Sequence, residues 1–244
     1  MLVVENISKS FGSEPVLSDV SFTLAKGEML SILGRSGSGK TTLLKILAGL
    51  QKADSRDVLL DAASVLHLRP QKREIVYLYQ EALLFPHLNV FDNIAFGLRI
   101  RKEKKSLIRE KVMDLVGKLE LNGQEKKMPH QLSGGQKQRV SFGRALIINP
   151  RILLLDEPFG NLDPETRSNM QRLLKDIADT FSITAMFVTH DLKEAIQMGD
   201  RIGYMRKGSL DLYESHEAFV ADPRTEARQE IEFWRRFDNL KKSE

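Results

Sequence analysis

Met29-Leu30-Ser31-Ile32-Leu33-Gly34-Arg35-Ser36-Gly37-Ser38-Gly39-Lys40-Thr41-Thr42-Leu43-Leu44 decides the fold of this 244-residue chain. Its first five residues are mostly apolar and run into a glycine, the pattern of a strand buried on both faces. A glycine- and serine-rich loop follows, and from Thr41 to Leu50 apolar residues recur at helical spacing. Three later runs read as buried strands in the same way: Ile75–Tyr79, Ile152–Leu155 and Ile183–Val188. Helices predicted around Gln136–Ile148 and Pro164–Phe181 separate them. Strand, crossover helix and strand in that order imply a mostly parallel sheet covered by helices, an α/β fold.

Upstream of this stretch, residues 2–24 alternate apolar and polar, as in Val16-Leu17-Ser18-Asp19-Val20-Ser21-Phe22-Thr23-Leu24, which predicts a half-buried antiparallel sheet. Downstream, from about Glu81 to Ile148, the pattern is helical with no clear strand. Leu107, Ile108, Val112, Leu115, Val116 and Leu119 share one face at a period near 3.6, so this region reads as a helical insert in the α/β core. Between Arg99 and Lys111 there are seven basic and two acidic residues, a local net of +5 against +4 for the whole chain. Such a run is either a solvated helix face or a docking surface.

Composition narrows the classes further. With 41% hydrophobic and 29% charged residues, the chain is neither disordered nor collagen-like. A net charge of +4 is too small to argue for nucleic-acid binding. Cysteine is absent, which excludes disulfides, a thiol nucleophile and zinc–thiolate sites. No apolar run is long enough to span a bilayer, and Met1-Leu2-Val3-Val4-Glu5 lacks the features of a secretory signal. The chain is therefore expected in the cytosol unless a partner holds it elsewhere.

The loop Gly34-Arg35-Ser36-Gly37-Ser38-Gly39-Lys40-Thr41 fits G-x-x-x-x-G-K-[ST] at every fixed position. Glycines there let successive N–H groups turn inward onto phosphate oxygens. The helix that starts at the loop adds free N–H groups and its positive dipole end. Lys40 is placed to reach terminal phosphates and the Thr41 hydroxyl to ligate Mg²⁺. The pattern implies a nucleoside triphosphate site, with Gly34, Arg35, Ser36, Gly37, Ser38, Gly39, Lys40, Thr41 and Thr42 as expected contacts.

Hydrolysis needs a further metal contact and a group that positions water. The strand Ile152-Leu153-Leu154-Leu155 ends in two adjacent carboxylates. Asp156 is suited to hold Mg²⁺ through water, and Glu157 to polarise the attacking water as general base. His190 closes the run Val188-Thr189-His190, and at a strand end of a parallel sheet it is expected to contact the γ-phosphate. Gln80 ends another apolar strand; it binds Mg²⁺ or the attacking water, or is simply a polar residue leaving the sheet. Leu132-Ser133-Gly134-Gly135-Gln136 precedes a helix predicted to begin near Lys137. It is either a second anion cradle or a plain N-capped turn.

In their order along the chain these motifs resemble those of the ATP-binding cassette subunit of ABC transporters. Gly34–Thr41 matches Walker A, Gln80 the Q-loop glutamine, and Leu132–Gln136 reads as the LSGGQ signature. Ile152–Glu157 matches Walker B with its catalytic glutamate, Gly160-Asn161-Leu162-Asp163 stands at the D-loop, and His190 at the switch histidine. The resemblance implies a P-loop NTPase core with an N-terminal antiparallel β-subdomain and an inserted helical subdomain. It also implies ATP and Mg²⁺ as cofactors and a head-to-tail pairing with a second copy or a homologous cassette. In that pairing Ser133, Gly135 and Gln136 cap the partner's γ-phosphate, and Phe11 stacks on adenine; the plain alternative for Phe11 is a core aromatic. Further implied partners are transmembrane permease subunits and, through them, a solute-binding protein, with the chain on the cytoplasmic face of the membrane.

Leu83–Val90 and Glu157–Asp163 look like those of cassettes serving sulfate, iron, polyamine, molybdate or sugar uptake. Many of these add a C-terminal regulatory β-domain, for which the residues up to Glu244 leave no room. The expected division is 1–80 and 149–230 for the core and 81–148 for the insert. Residues 231–244 form a short tail, within a stretch from Arg224 that reads as an amphipathic or solvated helix. Two departures stand out: Ala53-Asp54-Ser55-Arg56-Asp57 lacks the glycine usual before the next strand, and Gly160-Asn161 replaces the commoner Ser-Ala or Ser-Asn. The competing readings are an exporter cassette and a soluble ABC-type ATPase acting on ribosomes or DNA. A single Walker A and a single LSGGQ, 41 to 132 apart without sustained heptads, argue against the latter.

Overall fold

The computed structural model describes residues 1–241. Its first two strands, β1 (Leu2–Phe11) and β2 (Glu14–Leu24), form an antiparallel hairpin. Leu2, Val4, Ile7, Leu17, Val20, Phe22 and Leu24 are buried, so the alternation over residues 2–24 is that of one hairpin with a single covered face. β3 (Met29–Leu33) is buried throughout. After it α1 (Lys40–Ala48) runs to Gly49, whose left-handed φ of 79° ends the helix. The buried Arg73 guanidinium donates to the last carbonyls of α1, 2.7 Å to Ile46 O and 3.0 Å to Leu47 O. Strands β4 (Ser55–Leu60) and β5 (Ala63–Ser64) complete the first sheet in the order β2-β1-β4-β5. Where the usual glycine is missing, Arg56 itself takes φ 64°, a conformation costing a side-chain-bearing residue about 1 kcal/mol.

β6 (Ile75–Leu78) returns to the second sheet. Between it and β7 (Ile152–Asp156) the described residues hold α2 (Val90–Ile100), α3 (Lys105–Lys118) and α4 (Gly134–Leu146) and no strand. Of the predicted apolar stripe, Ile108, Val112, Leu115, Val116 and Leu119 are buried, while Leu107 is half-buried at its edge. The last predicted helix of the segment starts three residues earlier than Lys137, because Ser133 caps it. Then come α5 (Pro164–Phe181), β8 (Ala185–Thr189), α6 (Leu192–Met198), β9 (Arg201–Arg206), β10 (Ser209–Tyr213), α7 (His216–Ala221) and α8 (Ala227–Lys241). β8 begins at Ala185 rather than Ile183, since Ser182 at φ 49° and Ile183 still serve to end α5.

The second sheet has the order β10-β9-β3-β8-β7-β6, parallel except for the β9–β10 hairpin. Its register is what builds a site. Leu33 pairs with Thr189, Val188 with Asp156, and Leu155 with Leu78. Four neighbouring strands therefore end level, and the residues following them (Gly34, His190, Glu157, Tyr79 and Gln80) emerge along one carboxyl edge, where parallel sheets hold ligands.

The boundary expected after residue 230 falls within α8 (Ala227–Lys241). The break lies at Glu226, left-handed at φ 58°, and no glycine or proline interrupts residues 227–241. Buried Ala227 and the partly buried Ile231 tie α8 into an apolar cluster that includes Leu192, Ile196 and Phe219. The final predicted tail residues, 242–244, lie outside the described residues. Among the described residues no helix is long and apolar enough to cross a membrane.

Candidate active site

The loop after β3 is shaped by close backbone approach. A Cβ on Gly34 would sit 2.4 Å from Met205 O, and one on Gly39 2.7 Å from Val16 O, so the loop is wedged between β9 and β2. Gly39 caps α1 at φ 107° with no side-chain bond, leaving the first N–H groups of the helix without a side-chain acceptor. Ser38 is buried and its hydroxyl has no partner among the described residues. Gly37, at φ 80°, has open space where a Cβ would be, and Arg35 and Ser36 are exposed; Thr42 is half-buried on α1. The Lys40 ammonium donates to Gly34 O at 2.6 Å and Arg35 O at 3.1 Å. Burial pulls its pKa below the usual lysine range, opposed by the nearby carboxylates of Glu157 and Asp156.

Asp156 ends β7 with 8% exposure. Thr41 Oγ1 donates to its Oδ1 at 3.1 Å, and the Tyr77 hydroxyl donates to its Oδ2. Burial and the Asp156 charge push the Tyr77 phenol well above its ordinary pKa, so it stays a donor. The next residue, Glu157, is left-handed at φ 45°, and its N–H donates to Val188 O at 3.0 Å. This sharp turn separates the two carboxylates and carries Glu157 Oε2 to 3.0 Å from His190 Nδ1. Gln80 lies against Gly160, where a Cβ would come within 2.9 Å of Gln80 Nε2. A cavity of about 40 Å³ is bordered by Glu157, Gly160, Arg167, His190 and Glu194, room enough for water. A larger groove of about 860 Å³, beside Met1, Lys26, Ile152 and Thr184, lies at the opposite edge of the sheet and holds none of these residues.

The structure therefore brings together Lys40, Thr41, Asp156, Glu157 and His190, with Gln80 beside them. Three expected residues stand apart. Ser133 and Gln136 bond each other: Gln136 N–H donates to Ser133 Oγ at 3.3 Å and Ser133 N–H to Gln136 Oε1 at 3.0 Å. A Cβ on Gly135 would meet Thr166 Cγ2 at 2.6 Å, so this turn packs on the start of α5, and no hydrogen bond among the described residues joins it to residues 34–41. Phe11 is 50% exposed with the Lys9 ammonium 5.5 Å from its ring centroid, so it is not a core aromatic.

Two features have no motif to announce them. Tyr77 reads in the sequence as one more residue of an apolar strand. Glu194 lies outside every sequence motif, yet it is buried and accepts from Thr189 Oγ1 at 2.6 Å and Gln171 Nε2 at 3.0 Å, with burial raising its carboxyl pKa. Thr189 Oγ1 also accepts from Asp191 N–H at 3.0 Å, so this network fixes the backbone on both sides of His190.

The ABC transporter family model matches residues 17–160, more than half of the chain. The chain is 41% identical over 228 residues to the sulfate/thiosulfate import ATP-binding protein CysA of Halalkalibacterium halodurans, covering 92% of this chain and 64% of that one. It is 46% identical over 229 residues to the spermidine/putrescine import ATP-binding protein PotA of Protochlamydia amoebophila, covering 91% and 61%. The chain thus spans less than two thirds of the length of these relatives. The dimeric ATP-binding cassette MJ0796, solved in a post-hydrolysis state with ADP and Pi, matches with a TM-score of 0.76 at 32% identity, over 86% of this chain and 97% of that one. With its loop at 34–41, its carboxylate pair at 156 and 157 and its two sheets in this order, the chain belongs to the ABC transporter family and has the fold of an ATP-binding cassette.

Proposed function

We propose that the chain is the ATP-binding and ATP-hydrolysing subunit of a solute importer, seated on the cytoplasmic face of a membrane. The observation that carries this reading is the convergence of Lys40, Thr41, Asp156, Glu157 and His190 at one edge of the parallel sheet. Residues 34–42 hold the phosphates: the unpartnered Ser38 hydroxyl and the open N–H groups of α1 are donors awaiting an anion. Lys40 exchanges its loop carbonyls for phosphate oxygens. Phe11, with its exposed ring, stacks on the adenine.

The hydroxyl of Thr41, the carboxylate of Asp156 and the amide oxygen of Gln80 are hard oxygen donors of the kind Mg²⁺ takes, and they are the residues that would hold it. Mg²⁺ when bound neutralises charge on the β- and γ-phosphates. Glu157 draws the proton of the attacking water, and His190 orients Glu157 and the γ-phosphate. Ser133, Gly135 and Gln136 act on the nucleotide of a second copy, or of a homologous cassette, packed head to tail.

Residues 1–80 and 149–230 form the nucleotide core and residues 81–148 the insert. The segment from Gln80 to Val90 joins them and presents the exposed Leu83, with Tyr79 exposed just before it in the chain, which suits it to contact permease subunits. Those subunits, with any solute-binding protein that feeds them, choose the solute; sulfate and polyamines, named for the relatives, give its range. Glu157→Gln tests the chemistry. It should keep ATP binding within about twofold and cut steady-state hydrolysis at least about 100-fold; near-normal turnover would sink the assignment of the base.

A further inference from the structure

Each oxygen of Asp156 has its own donor: Thr41 on α1 donates to Oδ1 and Tyr77 on β6 to Oδ2. The strand register explains how Tyr77 reaches so far. Tyr77 pairs with Leu154, and because side chains two residues apart share a face, Asp156 is its diagonal cross-strand neighbour, within reach of a long aromatic side chain. The ring is half-buried against the core of α1 and the first sheet, and it meets Tyr79 edge-on with centroids 4.6 Å apart. A phenylalanine would make all of these ring contacts. The hydroxyl adds one thing, a bond to a carboxylate that is 8% exposed, and such a carboxylate is costly to bury with an oxygen unsatisfied.

We infer that Tyr77 is a positioning residue of the cation site: its hydroxyl fixes the plane of the Asp156 carboxylate and thereby sets how much a divalent cation strengthens ATP binding. The inference rests on the reading of Thr41 and Asp156 as Mg²⁺ residues. Tyr77 touches neither nucleotide nor cation in this role; it acts through Asp156. A carboxylate held on both oxygens meets the cation already oriented. One held by Thr41 alone is free to rotate about its side chain and must be ordered when the cation arrives. Partners of metal-binding side chains are commonly worth about tenfold in metal affinity or more. Because β6 leads directly into Tyr79 and Gln80, the same ring ties the Asp156 carboxylate to the segment proposed to face the permease.

The experiment is equilibrium ATP binding in the Glu157→Gln background, where nothing is turned over, measured once with excess EDTA and once with saturating Mg²⁺. The ratio of the two dissociation constants reports the coupling between cation and nucleotide. Tyr77→Phe should leave the EDTA constant within about twofold and shrink the ratio about tenfold. Tyr77→Met, which also lacks the hydroxyl but changes the ring, should shrink it equally. An unchanged ratio in Tyr77→Phe would overturn the inference, as would equal weakening of binding with and without Mg²⁺, the mark of a merely structural role. A loss in Met without a loss in Phe would assign the effect to the ring and overturn it too. If the parent protein itself shows no Mg²⁺ effect on ATP affinity, it is the cation-site reading that fails.

Discussion

Two glycine- and serine-rich turns in this chain open a helix, and they have opposite conformations. At residues 34–41 the cap is Gly39, left-handed at φ 107°, with no side-chain bond to the helix and a buried, unpartnered Ser38 hydroxyl. At residues 132–136 the cap is Ser133, in extended backbone, and it exchanges reciprocal bonds with Gln136. The first turn keeps its donors open; the second has satisfied two of its own. Shared composition thus hides a division of labour. A turn whose donors lack side-chain partners is suited to receive an anion, whereas a capped turn also stabilises its helix and must rearrange its serine to donate elsewhere. The contrast predicts that changes in the first turn fall on binding and changes in the second fall on assembly and folding.

The largest expected effect is on the first turn. Lys40→Ala should weaken ATP binding by roughly 100-fold, as loss of one or two charge-assisted hydrogen bonds would; titration with a fluorescent ATP analogue measures it. A change below about threefold would mean that the open N–H groups suffice and Lys40 is dispensable.

A smaller effect, and of another kind, is expected at the second turn. Ser133→Arg in the Glu157→Gln background should leave ATP binding by the monomer within about twofold while weakening ATP-driven dimerisation at least about tenfold. Light scattering with and without ATP separates the two. An undisturbed dimer would remove Ser133 from the interface and leave it only a helix cap.

The same contrast marks what was legible in the sequence. The loop at 34–41 and the Asp156–Glu157 pair could be read because their residues are local, and the buried strands that carry them are short apolar runs bounded by turn residues. Register was not written in those runs, and it is register that sets Gly34, Glu157, His190 and Gln80 along one edge. Tyr77 and Asp156 are 79 positions apart, and no periodicity distinguishes a strand tyrosine that finds a carboxylate from one that does not. Glu194 is similar: its partners Thr189 and Gln171 come from β8 and α5, so only the packed fold shows that it is buried. The hairpin β9–β10 turns at Lys207 and Gly208, with φ 48° and 81°, a tight two-residue turn whose lysine gave no warning. The break at Glu226 is equally silent, since a left-handed glutamate has no sequence signature.

The smallest effect tests folding itself. Ser133 Oγ accepts from Gln136 N–H at 3.3 Å, and the site is exposed. In Ser133→Ala water can take over the freed N–H, so the cost should sit near the usual value for a lost helix cap, about 1 kcal/mol. For a domain of this size that lowers the melting temperature by roughly 2–4 °C. Lys40→Ala should not share it. The Lys40 side chain is buried, which lowers its pKa, and its hydrogen bonds among the described residues are to the carbonyls of Gly34 and Arg35. Removing that charge relieves desolvation while giving up those bonds and the attraction of Glu157 and Asp156, opposing terms whose net change in nucleotide-free stability should be smaller than the loss in Ser133→Ala. Thermal denaturation of the two variants, side by side and without ATP, decides the matter. If Lys40→Ala loses as much as Ser133→Ala, the first turn is holding the fold together rather than holding donors in reserve, and the distinction between the two turns collapses.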